Sequence, residues 1–197
     1  MRAQPEIVTD RLTLHRPRLR DAPRIAALLN NYEVTKNLAR VPYPYTMNMA
    51  VDWLLRQRKE WSPESVTFGI YTERAGLIGF CGTHREGQDA EIGYWLGEPY
   101  WGMGYMTEAV EAVIAWYFDN SGANRLISGV FHFNAASLAI QNKFGFVQTG
   151  IGKRICLAQG TEIDHIETLV TRDTFYAALA ARQTAPLPAT RRGESGL

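Results

Sequence analysis

Residues Tyr100-Trp101-Gly102-Met103-Gly104-Tyr105-Met106-Thr107 join a β-rich run to the strongest amphipathic helix pattern in the chain. Gly102 and Gly104 remove side chains where a strand turns into a helix. The first N–H groups of a helix lack intrahelical partners, and the helix dipole places partial positive charge beside them. Such a junction can hold a pyrophosphate on backbone donors alone, or it can serve only as a tight turn. Two better-known phosphate loops do not match: position 107 is Thr, so G-x-G-x-x-G fails, and no G-K-[ST] follows. A second concentration is Asn134-Ala135-Ala136-Ser137, directly after a strand ending at Phe133. Asn134 suits a helix N-cap and Ser137 falls at the third helical position, so capping alone also accounts for the pair. Lys143-Phe144-Gly145-Phe146 ends that helix on a glycine and re-enters a strand on an aromatic.

The elements that must position these groups are legible in order. Arg11 to His15 alternates as a first strand. Asp21 before Ala22-Pro23 starts a helix that runs to about Asn30. After the Tyr-Pro run at Val41 to Tyr45, Thr46 or Asn48 caps a helix carrying Val51, Trp53, Leu54 and Trp61. Val66 to Tyr71 and Leu77 to Cys81 form a hairpin with Gly76 at its turn, and Ala90 to Leu96 is the next strand. Met106, Ala109, Val110, Val113, Ile114 and Tyr117 make one apolar stripe that must lie on a sheet. Leu126 to Phe133 is a central strand, Asn134 to Phe144 a short helix, and Phe146 to Thr174 two strands with a turn near Gln159-Gly160. A helix over Phe175 to Arg182 ends a single domain, residues 1–182, before a mobile Pro/Arg/Gly/Ser tail over 183–197. Interleaved strands and helices with a hairpin between them specify a mixed sheet flanked by helices.

Composition narrows the class. The 197 residues are 46% hydrophobic and 21% charged, as in an ordinary globular domain. With 21 Lys and Arg against 20 Asp and Glu, the net charge of +1 argues against a nucleic-acid partner. Cys81 and Cys156 form no C-x-x-C pair and read as core filler. No metal-ligand spacing links them to His15, His84 or His165, so no metal is expected. Residues 1–10 lack an apolar signal stretch and no long uncharged apolar run occurs. The expectation is a soluble cytoplasmic protein with no membrane partner, a homodimer being left open.

Together the two motif blocks resemble the GNAT acetyltransferase superfamily, most closely its RimJ/RimL-type branch, which acetylates ribosomal-protein N-termini. The matching residues are Glu91-Ile92-Gly93-Tyr94-Trp95-Leu96, Tyr100-Trp101-Gly102-x-Gly104-Tyr105-x-Thr107-Glu108-Ala109, Asn134-x-x-Ser137 and Lys143-Phe144-Gly145-Phe146. Asp10-Arg11-Leu12-Thr13-Leu14 and Leu77-Ile78-Gly79-Phe80 extend the likeness to residues 8–176. The resemblance implies an α/β (α+β) fold. Its central sheet is mixed, mostly antiparallel and twisted, with about seven strands flanked by helices and a splay between the fourth and fifth.

It also implies direct transfer of an acetyl group from acetyl-CoA to an amine. In the family, pyrophosphate rests on the loop here formed by Trp101, Gly102, Met103, Gly104, Tyr105, Met106 and Thr107. The pantetheine arm pairs with the strand ending at Tyr94, Trp95 and Leu96, and Asn134, Ser137 and Lys143 complete the acetyl-CoA site. Ser137 matches the donor to the leaving thiolate and Glu91 the base that acts through water. Glu108 is read as structural, facing away from the anion. Three departures stand out: Trp101 where the loop usually opens with Arg or Gln, Met103 where Lys is frequent, and Met106 in place of Gly or Ala. The usual helix tyrosine is also missing, with Ile140, Gln141 and Asn142 in its neighbourhood. The acceptor is a protein N-terminus, such as a ribosomal protein, or a small-molecule amine. An α-amino group, with a pKa of about 7.7–8.0, is partly neutral at pH 7 and needs little help from a base. A ribosomal partner would require an acidic patch at the cleft, given the weak net charge. The alternative is a CoA-binding sensor or scaffold without catalysis. Tyr43, Tyr45, Trp53 and Trp61 are either acceptor walls or core, and His132 is a packed strand residue near the cleft.

Overall fold

Two short strands, Ile7–Val8 (β1) and Thr13–His15 (β2), open the chain and pair antiparallel. The structure, a computed structural model, describes residues 4–57 and 61–184. Helices Ala22–Leu29 (α1), Tyr32–Thr35 (α2) and Met47–Arg56 (α3) follow. A meander comes next: Val66–Thr72 (β3), Gly76–Glu86 (β4) and Asp89–Leu96 (β5). Then come Tyr105–Ser121 (α4), Arg125–Phe131 (β6), Ala135–Lys143 (α5), Val147–Cys156 (β7), Thr161–Thr171 (β8) and Arg172–Thr184 (α6). The eight strands are ordered β1-β2-β3-β4-β5-β6-β8-β7, antiparallel except for β5 beside β6.

The eighth strand is β1, whose two residues are too few to leave an alternation in the sequence. The expected fourth and fifth strands are therefore β5 and β6, and they do splay: their pairing is confined to Glu91 and Ile127. Turn glycines account for the hairpins. Gly76, Gly87 and Gly160 hold φ values of +64°, +59° and +66°, where a side chain would be strained.

Local chemistry explains most other differences from expectation. Asp21 flanks α1, but its carboxylate accepts from the Arg18 N–H (2.7 Å) and the Tyr71 hydroxyl (2.7 Å) instead of capping that helix. Thr46 caps α3 by accepting from the Met49 N–H. Trp61 lies beyond that helix and packs near Trp116. α6 begins three residues earlier than expected because Thr171 and Thr174 exchange hydrogen bonds at its start. The expected tail lies, from residue 185 onward, outside the described residues.

The apolar stripe of α4 is buried along its whole length, and Met106 is 7% exposed, with its side chain on the sheet. Burying six such side chains supplies a driving force of about 1.5–3 kcal/mol for each large one. α1 and α3 cover the opposite face through Ile25, Leu29, Ala50 and Leu54. Among the described residues no helix is long and apolar enough to cross a membrane.

Candidate active site

The gap between β5 and β6 is built by polar pins at its closed end. Arg125, at the start of β6, holds Asp89 with a bidentate fork of 2.5 and 3.0 Å. One turn of the pleat further on, Ser128 Oγ donates to the Ile92 carbonyl (3.0 Å), in place of a backbone partner. Gln141 of α5 donates to Ser128 and accepts from Thr168 of β8. Beyond these bonds the strands part. Ile92 and Leu96 turn their carbonyls away from β4, toward Ser128 and the Trp101 indole. The period-two alternation turns the Tyr94 backbone the same way, with no β6 partner opposite. The resulting cleft has a volume of about 1230 Å³, beyond the usual single-ligand range and enough for two reactants.

At one end of the cleft lies the glycine loop. Gly102 and Gly104 have φ values of +73° and +79°, and a Cβ on Gly104 would stand 3.3 Å from Arg11. The loop feeds the first turn of α4, whose free N–H groups open on the cleft beside Tyr105, Met106 and Thr107. Arg11 secures this loop. Its guanidinium donates to the Met103 carbonyl (2.9 Å) and to Glu108 (2.7 Å), and it stacks over the Tyr105 ring. Glu108 also accepts from Thr9 and from the Arg11 backbone. Burial pushes its carboxyl up, but those hydrogen bonds outweigh it and hold the pKa below the usual glutamate value. Glu108 thus faces Thr9 and Arg11 of the opening segment, as expected of a structural residue.

Ser137 and Tyr94 meet in the middle. Asn134 caps α5 by accepting from the Ser137 N–H (3.1 Å). Ser137 Oγ donates to the Tyr94 hydroxyl (2.9 Å), and that hydroxyl donates to the Ser137 carbonyl (3.2 Å). Burial, partly offset by Ser137 and Gln141, raises the phenol pKa to about 12. The phenol therefore stays protonated and able to donate.

Glu91 stands at the far end, opposite His84 on β4. Its Oε2 is 3.5 Å from His84 Nε2 and 3.6 Å from Arg154 Nη2. Burial pushes the Glu91 carboxyl up, but His84, then Arg154 and Arg40, hold it below the ordinary value. It is ionised at neutral pH. His84, Glu86 and Glu91 bring one ligand atom each within 4.8 Å of one another. Arg154 already stands within 4 Å of both carboxylates and Arg40 within 4 Å of Glu86, and they compete with any cation.

This arrangement of a helix-start loop, a splayed strand pair and a hydroxyl between them matches a known family. A family model described as an acetyltransferase (GNAT) domain covers residues 11–147. The chain belongs to the GNAT acetyltransferase family. It is 31% identical to the uncharacterized N-acetyltransferase p20 of Bacillus licheniformis over 164 residues, 80% of this chain and 91% of that protein. To the uncharacterized N-acetyltransferase YoaA of Bacillus subtilis it is 28% identical over 169 residues, 81% and 93% of the two chains. The fold recurs in the ribosomal alpha-N-protein acetyltransferase RimL, solved with coenzyme A (TM-score 0.72, 19% identity, 85% of this chain and 98% of RimL). It recurs also in the microcin C7 self immunity acetyltransferase MccE, solved with acetyl-CoA and AMP (TM-score 0.70, 21% identity, 83% and 93%).

In this GNAT chain the cleft brings together Glu91, Tyr94, Trp95, Leu96, Trp101, Gly102, Gly104, Tyr105, Met106, Thr107, Asn134, Ser137 and Lys143. Met103 stands apart, its side chain 53% exposed and its carbonyl tied to Arg11. The Trp101 indole is docked on the Leu96 carbonyl. Trp53 lines the cleft against Phe80, whereas Tyr45 is core and Tyr43 packs on Tyr32. His132 is in the turn after β6, bonded to Asp164. Among the described residues the charged lining is Glu33 and Glu91 against Lys36, Arg40, Lys143 and Arg154, so the acidic patch that a ribosomal partner would require is not among them. Residue-type reasoning missed Arg11, His84, Arg40 and Arg154. Only Arg11 left a trace, as part of the first-strand motif.

Proposed function

We propose that this GNAT enzyme moves an acetyl group directly from acetyl-CoA to a primary amine, in the cytoplasm, with Ser137 and Glu91 as its working side chains. The observation that carries the reading is one continuous cleft. It runs from the α4 N-terminus through the β5–β6 gap to Glu91, with the Ser137 hydroxyl midway. The residues fit acetyl-CoA. Gly102 has open space where a Cβ would stand, and the α4 N–H groups beside it suit a pyrophosphate. The free backbone edge at Tyr94 suits the amide groups of a pantetheine arm.

Acetyl-CoA supplies the activated thioester carbonyl. The two walls hold the amine in line with it, which replaces a bimolecular encounter by a positioned one. Ionised Glu91 accepts, through water, the proton that the amine sheds. Ser137 rotates its one hydroxyl proton from the Tyr94 oxygen to the departing sulfur, while the Tyr94 hydroxyl stays bonded to the Ser137 carbonyl and holds the serine in place. Lys143, at the end of α5, adds positive charge on the donor side. No acyl-enzyme is needed: an amine attacks a thioester directly, and the cysteine on the cleft, Cys81, is buried with its thiol pushed up.

The test is thermal and kinetic. Acetyl-CoA at a hundred times its Kd adds about 2.7 kcal/mol of stability, a rise in Tm of about 5–11 °C for a domain this size. Free thiol must then appear in step with amine supplied. No Tm rise at millimolar acetyl-CoA ends the reading, and binding without thiol release across an amine panel leaves a sensor module.

A further inference from the structure

The acceptor end of the cleft carries more polar groups than capture of a bare amine requires. Among the described residues, three buried side-chain polar atoms lack a hydrogen-bond partner: His84 Nε2, Glu91 Oε2 and His165 Nδ1. All three residues line this cleft. His84 Nε2 and Glu91 Oε2 face each other in a loose 3.5 Å ion pair, too long for a good hydrogen bond, so this pair and His165 Nδ1 leave one wall with polar groups that a ligand can complete. His165 is only 6% exposed, and its ring is wedged so close to Gly129 that a Cβ there would lie 2.0 Å from Cε1. It has no room to swing toward another partner.

Charge at the same wall defines what fits. Arg154 reaches in from β7 with its side chain 30% exposed. It stands 3.6 Å from Glu86 and 3.6 Å from Glu91, too far for a hydrogen bond. Its five N–H donors thus remain largely unspent. Arg40, from the segment after α2, holds Glu86 from the other side at 3.2 Å. Two guanidiniums against two carboxylates leave no acidic surplus for a polycationic acceptor. A molecule that carries one charge of each sign matches this wall.

We propose that the acceptor is a zwitterionic amine, an amino acid or a small molecule of that type. Its amine faces Glu91 and His84, and its carboxylate is taken by Arg154 with help from Arg40. This rests on the acetyl-transfer reading above. Glu91 Oε2 and Arg154 Nη2 are neighbours, so the two groups they bind sit on the same or adjacent carbons. The walls are also joined near this point. The Leu157 N–H donates to the Ala39 carbonyl (3.1 Å) and the Gln159 amide donates to the Lys36 carbonyl (3.2 Å). That bridge suits a small acceptor better than a lysine on a folded surface. In the reaction the neutral amine nitrogen bonds to the acetyl carbon as the C–S bond breaks. The amine loses one proton and the CoA thiolate gains one, giving an N-acetyl carboxylate and free CoA thiol.

The experiment compares free L-amino acids with their own carboxamides and with peptides beginning with the same residue, by thiol release and by Tm in the presence of CoA. The expected result is kcat/KM for the acid about tenfold or more above its amide, as a charge-assisted hydrogen bond allows. R154Q collapses that ratio toward one and R154K restores part of it, while the Tm rise with acetyl-CoA persists. An Arg154 role confined to structure would lower Tm without moving the ratio. If R154Q does not fold, R40Q and the ratio in the unmodified enzyme carry the test. Amides or peptides that serve as well as free acids overturn the proposal and leave acetyl transfer standing. Acetyl-CoA binding with no amine acetylated overturns both.

Discussion

Gln141→Leu tests how the cleft is held open. Gln141 Nε2 donates to Ser128 Oγ at 2.9 Å and Oε1 accepts from Thr168 Oγ1 at 2.8 Å, while Ser128 itself donates to the Ile92 carbonyl at 3.0 Å. The three side chains are 1%, 6% and 2% exposed, so water does not replace what is lost. Leucine fills nearly the same volume, which isolates the polar effect from a cavity. Thr168 loses its acceptor outright, and a stranded buried group costs about 1–3 kcal/mol. Ser128 keeps the Ile92 carbonyl and loses only an incoming donor, at the low end of that range. The sum is about 2–4 kcal/mol, or a fall in Tm of about 4–16 °C at roughly 2–4 °C per kcal/mol. Scanning calorimetry with urea unfolding measures it. Adding Thr168→Val removes the stranded hydroxyl and should recover about half of the loss. A fall under about 2 °C, or a further fall on adding Thr168→Val, would refute the claim that this chain of bonds pins the two arms.

Other outcomes follow from single residues. Gly93 is exposed at mid-strand, and a Cβ there meets nothing within 4 Å. Gly93→Val should therefore keep or raise Tm, since glycine weakens a strand interior, yet cut kcat/KM at least about tenfold by filling the cleft; full activity would place the reaction elsewhere. Ser137→Ala should lower kcat by about 10²-fold with acetyl-CoA affinity little changed, and Tyr94→Phe by less, as single-turnover kinetics will show. Glu108 has a folded pKa below its unfolded value, so its stabilisation is present above the ordinary glutamate pKa of about 4.3 and is lost as pH falls through the folded value. Tm measured from pH 7 down to pH 3 should drop less steeply in Glu108→Gln than in the parent, and equal slopes would remove the Arg11–Glu108 clamp from the account. Because Glu91 is ionised well below neutrality, the acid limb of the kcat/KM profile should track the acceptor's amine pKa and shift when acceptors of different basicity are compared.

The parts legible in the sequence were those whose partners are near in the chain. The α4 stripe, the glycine junction before it and the Asn134 cap each depend on spacings of a few residues, and each stands as its pattern implied. Met106, a departure from the family loop, is reconciled by the same periodicity, because the helical stripe takes its side chain onto the sheet. What stayed hidden depends on register. His84 meets Glu91 only because β4 and β5 pair antiparallel about the Gly87 turn, and one residue of slip would send them to opposite faces. Arg154 and His165 share a wall because β7 and β8 pair with Gly152 opposite His165, a match shaped by an irregularity between Gln148 and Gly150. Arg11 reaches Glu108 across 97 positions, and Tyr94 reaches Ser137 across 43. Such pairings leave no mark in composition or periodicity.

That division follows the chemistry of the two reactants. In the proposed reading, donor recognition uses backbone groups at a helix start and along a free strand edge, which local motifs specify and which do not depend on a basic residue at Met103 or Trp101. The proposed acceptor site uses side chains that the sheet collects from β4, β5, β7 and the segment after α2. Two chains with the same loop can therefore bind the same donor and differ wholly in acceptor, since exchanging Arg154, Arg40 or His84 alters the wall without touching any motif. The proposal of a zwitterionic acceptor rests on the charge balance around Glu91, where two arginines offset two glutamates. A motif read along the chain points to the donor, and only the register of the sheet exposes the groups proposed to choose the amine.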